Sequence, residues 1–414
     1  MKINEIYSAY MYSYPHKTAY GELAGVRFSD YKRLLSDSGC SLYFHVPFCA
    51  SKCGYCNLFS VTGQNGDYME RYISACETQL RQYGVPRNCF RSMIIGGGDP
   101  LILPHRLLHR VLSFSGPGMN ICVETSPNET APEKLNVLKK FHANRISIGV
   151  QSFLDSELTT LKRFHSAESA KKALDLLKSY GFPCVNIDLI YGIPGQTAAS
   201  FECSLRHALS FAPDEIFIYP LYIRGGTKLT GAVINENTYE MYESARDFLF
   251  ASGYFQKSMR LFVKKAPAPK SCGFENMLAI GCGGRSYIGS LHFCHPYAVG
   301  KHACLRIIDN FIQAGDKTEI RNGFILDEDE MKRRFIIKNL LYFRGVSVSD
   351  YSQLFSTPLL SDFPVIDRLI LLGYAEIKGD FVRLTPLGLS YSDYIGPMFI
   401  SGKVNEKMAT WKTS

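Results

Sequence analysis

Three cysteines, Cys49, Cys53 and Cys56, fall within eight residues of the segment HVPFCASKCGYCNLF, residues 45–59. Thiols this close on one loop can converge on a single inorganic centre, and Gly54 between the last two relieves backbone crowding there. Structural zinc takes four protein ligands, normally in two pairs. No second pair follows at finger spacing, and His45 is the nearest candidate for a fourth ligand. Three thiolates suit a [4Fe–4S] cluster instead, with one iron left without a protein ligand. An open iron is a place for another molecule to bind, so the spacing predicts a cofactor site, with zinc as the alternative. The other ten cysteines lie mostly in apolar surroundings such as NICVE and FPCVN, where a thiol packs as a small hydrophobe.

Whatever positions this loop must be built from the pattern that surrounds it. Apolar, β-rich runs recur at Leu42–Pro47, Ser92–Ile95, Asn120–Glu124, Arg145–Val150, Cys184–Ile190 and Glu215–Pro220. Amphipathic stretches separate them, among them Asp67–Tyr83, Pro132–His142, Glu168–Tyr180 and Ala198–Ser210. Six consecutive βα units predict an α/β fold with a parallel sheet curved into a partial or full barrel. In such barrels chemistry sits at the C-terminal ends of the strands. The polar and glycine motifs fall there: the cysteines after the first run, GGGDP after the second, Glu124 closing the third. QSF, YGIPGQT and LYIRGGT follow the fourth, fifth and sixth. Turn chemistry explains the glycines, but Glu124, Gln151 and Asp188 are polar groups in or beside strands and each needs a partner or a ligand.

The rest of the chain sets bounds. It has 414 residues, 46% hydrophobic and 20% charged, which suits a folded protein of about two domains. No apolar run is long enough to span a membrane, and the N-terminus lacks a secretory pattern. Thirteen cysteines without an export signal point to reduced thiols and a cytoplasmic location. The net charge of +8 is spread along the chain and makes no nucleic-acid footprint. Boundaries are expected as an N-terminal extension (1–40), a barrel core (41–230), a barrel extension carrying substrate contacts (231–325) and a C-terminal domain (326–414). In the last third, APAPKS (Ala266–Ser271) and LDEDEM (Leu326–Met331) punctuate the chain. Helix-like KRRFIIKNLLYF, VSDYSQLF and FPVIDRLILLGY follow, then a hairpin-like AEIKGDFVRLTPLG. That order predicts a winged-helix-like α+β domain, read as a cap rather than a nucleic-acid binder because its helices carry no dense basic face.

Taken together, YFHVPFCASKCGYC, IIGGGDP, ETSPNE, RISIGVQSF, LKRFHS, NIDLIYGIPGQT and EIFIYPLYIRGGTKL resemble the radical S-adenosylmethionine (SAM) superfamily. Within it they resemble the oxygen-independent coproporphyrinogen III oxidase family, over about residues 41–230. The resemblance implies a partial (β/α)6 barrel in which Cys49, Cys53 and Cys56 hold the cluster and SAM chelates the open iron. Reduction by a donor such as flavodoxin or ferredoxin then yields methionine and a 5′-deoxyadenosyl radical, which abstracts a hydrogen atom from a small-molecule substrate. It further implies that Gly96, Gly97, Gly98, Glu124, Gln151, Arg163 and Asp188 contact SAM, and that Tyr43 lies near the reacting atoms. Arg224, in a loop resembling one that lines a second SAM site in the family, is expected to pair with that molecule's carboxylate, giving one or two bound SAM.

The departures bear on the reaction. The family's oxidases carry a further cysteine two residues beyond the third ligand, where this chain has Leu58, and the usual GGGTP is GGGDP, with Asp99 for threonine. Residues 12–23, 281–300 and 392–401 lie outside the shared barrel and are expected to determine the substrate. Four readings follow: methyl or methylene transfer as in the family's class C methylases, porphyrinogen decarboxylation, non-enzymatic haem carriage with His295 and Tyr297 as haem ligands, and RNA modification. Leu58 argues against the second, and the lack of a basic patch against the last.

Overall fold

The computed structural model describes residues 6–7, 11, 13–37, 39–233, 235–265 and 275–411. The six apolar runs form parallel strands β1 (Cys40–Val46), β2 (Phe90–Gly97), β3 (Asn120–Thr125), β4 (Arg145–Gln151), β5 (Cys184–Tyr191) and β6 (Glu215–Pro220). They pair in sequence order, each with the next. Helices α1 (Gly66–Tyr83), α2 (His105–Leu112), α3 (Pro132–Lys140), α4 (Ala167–Tyr180) and α5 (Ala198–Ser210) lie between them. Local chemistry sets the helix ends. Asn65 caps α1 by accepting from the Tyr68 N–H at 2.9 Å, and Gly84 closes it at φ +57°. Ser166 with Ser169, and Thr197 with Ser200, form capping boxes at the starts of α4 and α5.

Alternation along the strands assigns the two faces. Leu42, Phe44 and Val46, like Ile146, Ile148 and Val150, are fully buried. Their neighbours Ser41, Tyr43, Arg145 and Gly149 are only half-buried, and Glu124 is open to solvent. Register places this second set in rows across the sheet: Glu124 opposite Ser147, Ser147 opposite Asn186, Gly149 opposite Asp188, and Asp188 opposite Phe217. One face therefore packs on helices and the other is polar, as the concave face of a parallel barrel sheet requires.

At the β1 edge the sheet continues. β7 (Met277–Ile280) runs parallel to β1, followed by an antiparallel meander of β8 (Arg285–Ile288) and β9 (Leu291–Cys294). Helix α6 (Lys301–Gln313) comes next.

By compactness the chain divides into two units. The first holds 21–241 with 275–323, and the second holds the described parts of 1–20, 242–274 and 324–411. In the second unit, α7 (Glu328–Leu340), α8 (Val348–Phe355) and α9 (Val365–Leu371) accompany a three-stranded sheet of Val346–Ser347, Phe381–Leu384 and Ala375–Lys378. This is the helix-and-wing order read from the sequence. Gly345 is obligatory at its turn: φ is +79° and a β-carbon would meet the Val382 carbonyl oxygen at 2.1 Å. The APAPKS segment lies outside the described residues.

Two of the idiosyncratic stretches meet inside this unit. Tyr14 donates to Glu330 and accepts from the Ser401 N–H at 3.2 Å, while the Ser401 hydroxyl donates to Glu330 at 2.7 Å. Nearby in sequence, Asp393 forms a buried ion pair with Arg260. Asp393→Ala is expected to lower unfolding free energy by about 3–5 kcal/mol, because it strands a buried guanidinium. Denaturant unfolding of the variant checks this, and Arg260→Met with Asp393→Leu should recover much of the loss.

Candidate active site

The cysteine loop is held by backbone groups of three other loops. The Gly54 N–H donates to Leu161 O at 2.9 Å, and the Leu229 N–H donates to Gly54 O at 3.0 Å. Beneath it Leu161, Ile190, Ile193, Leu221 and Leu229 form an apolar cluster on which Tyr55 packs. On the other flank the Gly98 N–H donates to Val46 O at 2.7 Å and the Asp99 N–H to Phe48 O at 2.8 Å. A β-carbon on Gly98 would lie 2.3 Å from Phe48 O and 2.9 Å from Cys49 Sγ. Gly96 has no room either, since its β-carbon would meet the Glu124 carboxylate at 2.5 Å. Gly97 stands at φ +114° and its N–H points to Glu124 at 3.4 Å.

Arg163 belongs to the site rather than to a solvated helix face. It donates from Nη1 to Cys53 Sγ at 3.0 Å and from Nη2 to Gly149 O, and its buried Nε has no protein partner. Gln151 sits at φ +72° on a break in the β4–β5 register. Gly149 makes room for it: a β-carbon there would be 2.8 Å from Gln151 Nε2. Across the rows, Asn186 donates to Ser147 Oγ and to Asp188 Oδ1, both at 2.7 Å. Deeper still, Arg145 pairs with Glu215 at 2.7 Å and donates to Cys122 Sγ at 3.3 Å. Ser147, Asn186, Arg145 and Glu215 were not singled out from sequence. Their signal was the polar alternate of each strand, as in RISIGVQ and VNIDLI.

Enclosure shifts the carboxyls. Burial pushes Asp188 up to about 7, against hydrogen bonds from Asn186 and Ser147 and the charge of Arg145. Glu124 is also raised by burial, against the Gly97 N–H and Arg145. Protein surrounds its carboxylate while the open face of the sheet leaves it accessible. Asp99, whose substitution for threonine had no reading in the sequence, is a buried bracket. It accepts from the Leu101 N–H and the Thr125 hydroxyl at 3.2 Å, and from the Ser126 hydroxyl at 2.5 Å. It thereby ties the glycine loop to the end of β3, and burial raises it to about 6.

His45 is accounted for without a metal. Nδ1 meets the Tyr43 hydroxyl at 3.2 Å, and Nε2 meets Phe59 O at 2.9 Å. The ring fills the space over Gly97 and Gly283, whose β-carbons would both lie 2.6 Å from it. Tyr43 thus stands on the polar face beside this histidine. Arg224 is exposed, with its guanidinium 5.2 Å over the Tyr222 ring and its carbonyl accepting from the Thr227 hydroxyl at 2.8 Å.

Among the described residues no group of three or more His, Cys, Asp and Glu side chains is placed to hold a metal ion. Burial and the neighbouring Cys56 raise the Cys49 thiol to about 12, and burial raises Cys56 as well. Thiolates form in such a place when a cationic centre binds them, which iron does. Cys49, Cys53 and Cys56 would hold the cluster. Gly96–Gly98, Glu124, Gln151, Arg163 and Asp188, gathered at the same strand ends, would face SAM.

A radical SAM superfamily model matches residues 43–208, and a HemN C-terminal domain model matches 326–391. The chain is 27% identical over 374 residues to the heme chaperone HemW of Bacillus subtilis, covering 84% of this chain and 96% of the relative. It is 29% identical over 202 residues to the oxygen-independent coproporphyrinogen III oxidase of Bradyrhizobium diazoefficiens, 46% of this chain and 45% of that one. The fold matches that of the Escherichia coli coproporphyrinogen III oxidase HemN with a TM-score of 0.79 at 21% identity, covering 94% of this chain and 96% of the other. No helix among the described residues is long and apolar enough to cross a membrane.

Two outcomes are expected. After anaerobic reconstitution the protein should hold about four irons; Ala at Cys49, Cys53 or Cys56 should remove most of them by iron assay, and Cys122→Ala should not. A carboxyl raised in the folded state withdraws stability as pH climbs from its unfolded value near 4 to about 7. Asp188→Asn should therefore raise the apo-protein Tm relative to wild type at pH 8 by more than at pH 4.5. The matched models and the glycine-and-cysteine architecture agree: the chain carries a radical SAM domain over residues 43–208, which implies a [4Fe–4S] cluster and S-adenosylmethionine as cofactors, and a HemN C-terminal domain over residues 326–391.

Proposed function

We propose that this protein is a radical SAM enzyme acting on a tetrapyrrole. The observation that carries the enzymatic part is the convergence of Glu124, Gln151, Arg163 and Asp188 with the cysteine loop at one end of the sheet. The bound cofactors supply a reductively generated 5′-deoxyadenosyl radical. The chain's own part is positional. Gly96–Gly98, lacking side chains, let the backbone come close to the ammonium end of SAM, Glu124 accepts from its donors, and Arg163 holds the cysteine loop against β4. Burial raises the Asp188 carboxyl to about 7, so it holds a proton at higher pH than a free carboxyl does.

The substrate class is supported by the relatives, whose names concern haem or coproporphyrinogen. It is also supported by the wall beside Asp188. Phe217 and Tyr219 on β6 stack at 4.6 Å with 14° between their planes, giving this side of the polar face an aromatic, apolar wall. A small acidic electron carrier is the expected reductant. Methyl transfer finds no support in the relatives' names, and Leu58 stands where the family's oxidases have cysteine.

Haem carriage is the second reading, on the strength of the HemW relatives. Its proposed ligands are poorly disposed. His295 packs on Phe311 with ring centroids 5.2 Å apart, and burial lowers it to about 4. The cavity it lines has a volume of 270 Å³, at the small end for a ligand pocket. The Tyr297 hydroxyl donates to Asn57 O.

With dithionite and SAM, the reconstituted protein should form 5′-deoxyadenosine, and haem or coproporphyrinogen III should raise the rate at least about tenfold. Glu124→Ala should weaken SAM binding about ten- to a hundredfold through a lost charge-assisted bond. Tight haem binding with no 5′-deoxyadenosine under any reductant would replace the enzyme by the carrier. Release of carbon dioxide, or transfer of label from the SAM methyl group, identifies the reaction.

A further inference from the structure

The outer surface of the cysteine loop is cationic. The three loops that meet there, Ser51–Thr62, Leu158–His165 and Leu221–Thr230, contain Lys52, Lys162, Arg163, Arg224 and Lys228 and no aspartate or glutamate. Arg163 turns inward to Cys53. The others stay at the surface and are tied to one another through the backbone. The Lys162 ammonium donates to Lys228 O at 3.2 Å, that of Lys228 to Lys52 O at 3.2 Å, and that of Lys52 to Val299 O at 2.7 Å. Arg224 lies over Tyr222. Among the described residues none of these four is paired with a carboxylate, so their charges are uncompensated. Two large apolar side chains stand out of the same loops, Leu58 at 48% and Phe164 at 61% exposure. Each adjoins the site: Leu58 is two residues beyond Cys56, and Phe164 follows the arginine bound to Cys53.

We infer that this collar is the docking surface for an acidic electron-carrier protein. The inference rests on the reductive chemistry proposed above and deepens it by naming where the reductant binds. Exposed apolar side chains on the same loops as uncompensated cations are the complement of a carrier whose redox group is ringed by carboxylates. Location favours a carrier over a small anionic substrate. Lys162 and Lys228 lie on the outer side of the loops whose inner groups hold Gly54, whereas Glu124, Asp188 and Phe217 face the interior of the sheet. Docking there would serve the transfer of one electron from the reduced carrier, oxidised by one, to the centre that Cys49, Cys53 and Cys56 would hold, reduced by one, with no bond made or broken in that transfer. The geometry calls for association steered by charge, and therefore weakened by salt.

The probe is flavodoxin, with the reconstituted full chain. Binding is measured by titration at low and moderate salt, and contacts are mapped with a carbodiimide that joins adjacent amines and carboxylates. Cross-links should involve Lys162 and Lys228. The double variant Lys162→Glu/Lys228→Glu should bind flavodoxin at least about tenfold more weakly, while the double Lys→Arg variant keeps its affinity. With reduced flavodoxin as donor, 5′-deoxyadenosine formation should fall by a similar factor in the Glu variant, and with dithionite it should match wild type at equal iron content. Unchanged flavodoxin affinity in the Glu variant would overturn the inference, as would a loss of tetrapyrrole binding with flavodoxin binding intact. Should the wild type form no 5′-deoxyadenosine even with dithionite, the enzymatic reading fails, while affinity and cross-links still decide the docking surface.

Discussion

The site depends on one constraint: beyond a short parallel pairing of Phe48–Cys49 with Val61–Thr62 at its ends, the cysteine loop is held by backbone hydrogen bonds from outside. Gly54 supplies both, donating to Leu161 and accepting from Leu229, with a β-carbon only 3.0 Å from Leu161 O if one were added. An unpaired buried peptide group is costly, so those two loops must arrive in register before the cysteines are placed. Leu161 follows β4 and Leu229 follows β6. The loop after β1 is therefore fixed by the far strands of the sheet, and the three thiols are positioned by the fold as a whole.

The glycine segment closes the other side by the same logic. Gly98 sits against Phe48 O with no room for a side chain, and Asp99 fastens the segment to Thr125 and Ser126 at the end of β3. A threonine there offers one hydroxyl; the carboxyl offers two oxygens and takes three donors. Burial would make a bare carboxylate expensive, and those three donors are what offset it. The substitution thus reads as a tighter brace on the β2–β3 corner.

Much of this was legible because parallel strands with one helix-packed face must carry long apolar alternates. The strand and helix spans from Cys40 to Pro220 follow the sequence pattern to within a few residues. Glu124, Gln151 and Asp188 stood out as polar groups placed in or against apolar strands. What escaped notice depends on long-range pairing or side-chain direction. Nothing local in MLAI says that it pairs with SLYF more than two hundred residues earlier. Tyr14 gave no sign of reaching Glu330 and Ser401. Arg224 and Arg163 looked alike as loop arginines, and only the fold turns one to Cys53 and the other to solvent.

That difference in direction separates the molecule's charges by function. Inside, Glu124, Asp188 and Glu215 face Arg145 and the hydroxyls of the polar rows, so the interior has acidic acceptors suited to a cationic sulfonium ligand. Outside, the loops hold cations without counter-charges. The cysteine loop lies at the boundary, with Arg163 the one cation of the collar drawn inward to the Cys53 sulfur. A hydrogen bond and nearby positive charge draw electron density from a sulfur and favour its thiolate. Arg163 therefore links the two sides: the same side chain that closes the loop onto Gly149 also sets its charge beside one of the three clustered sulfurs.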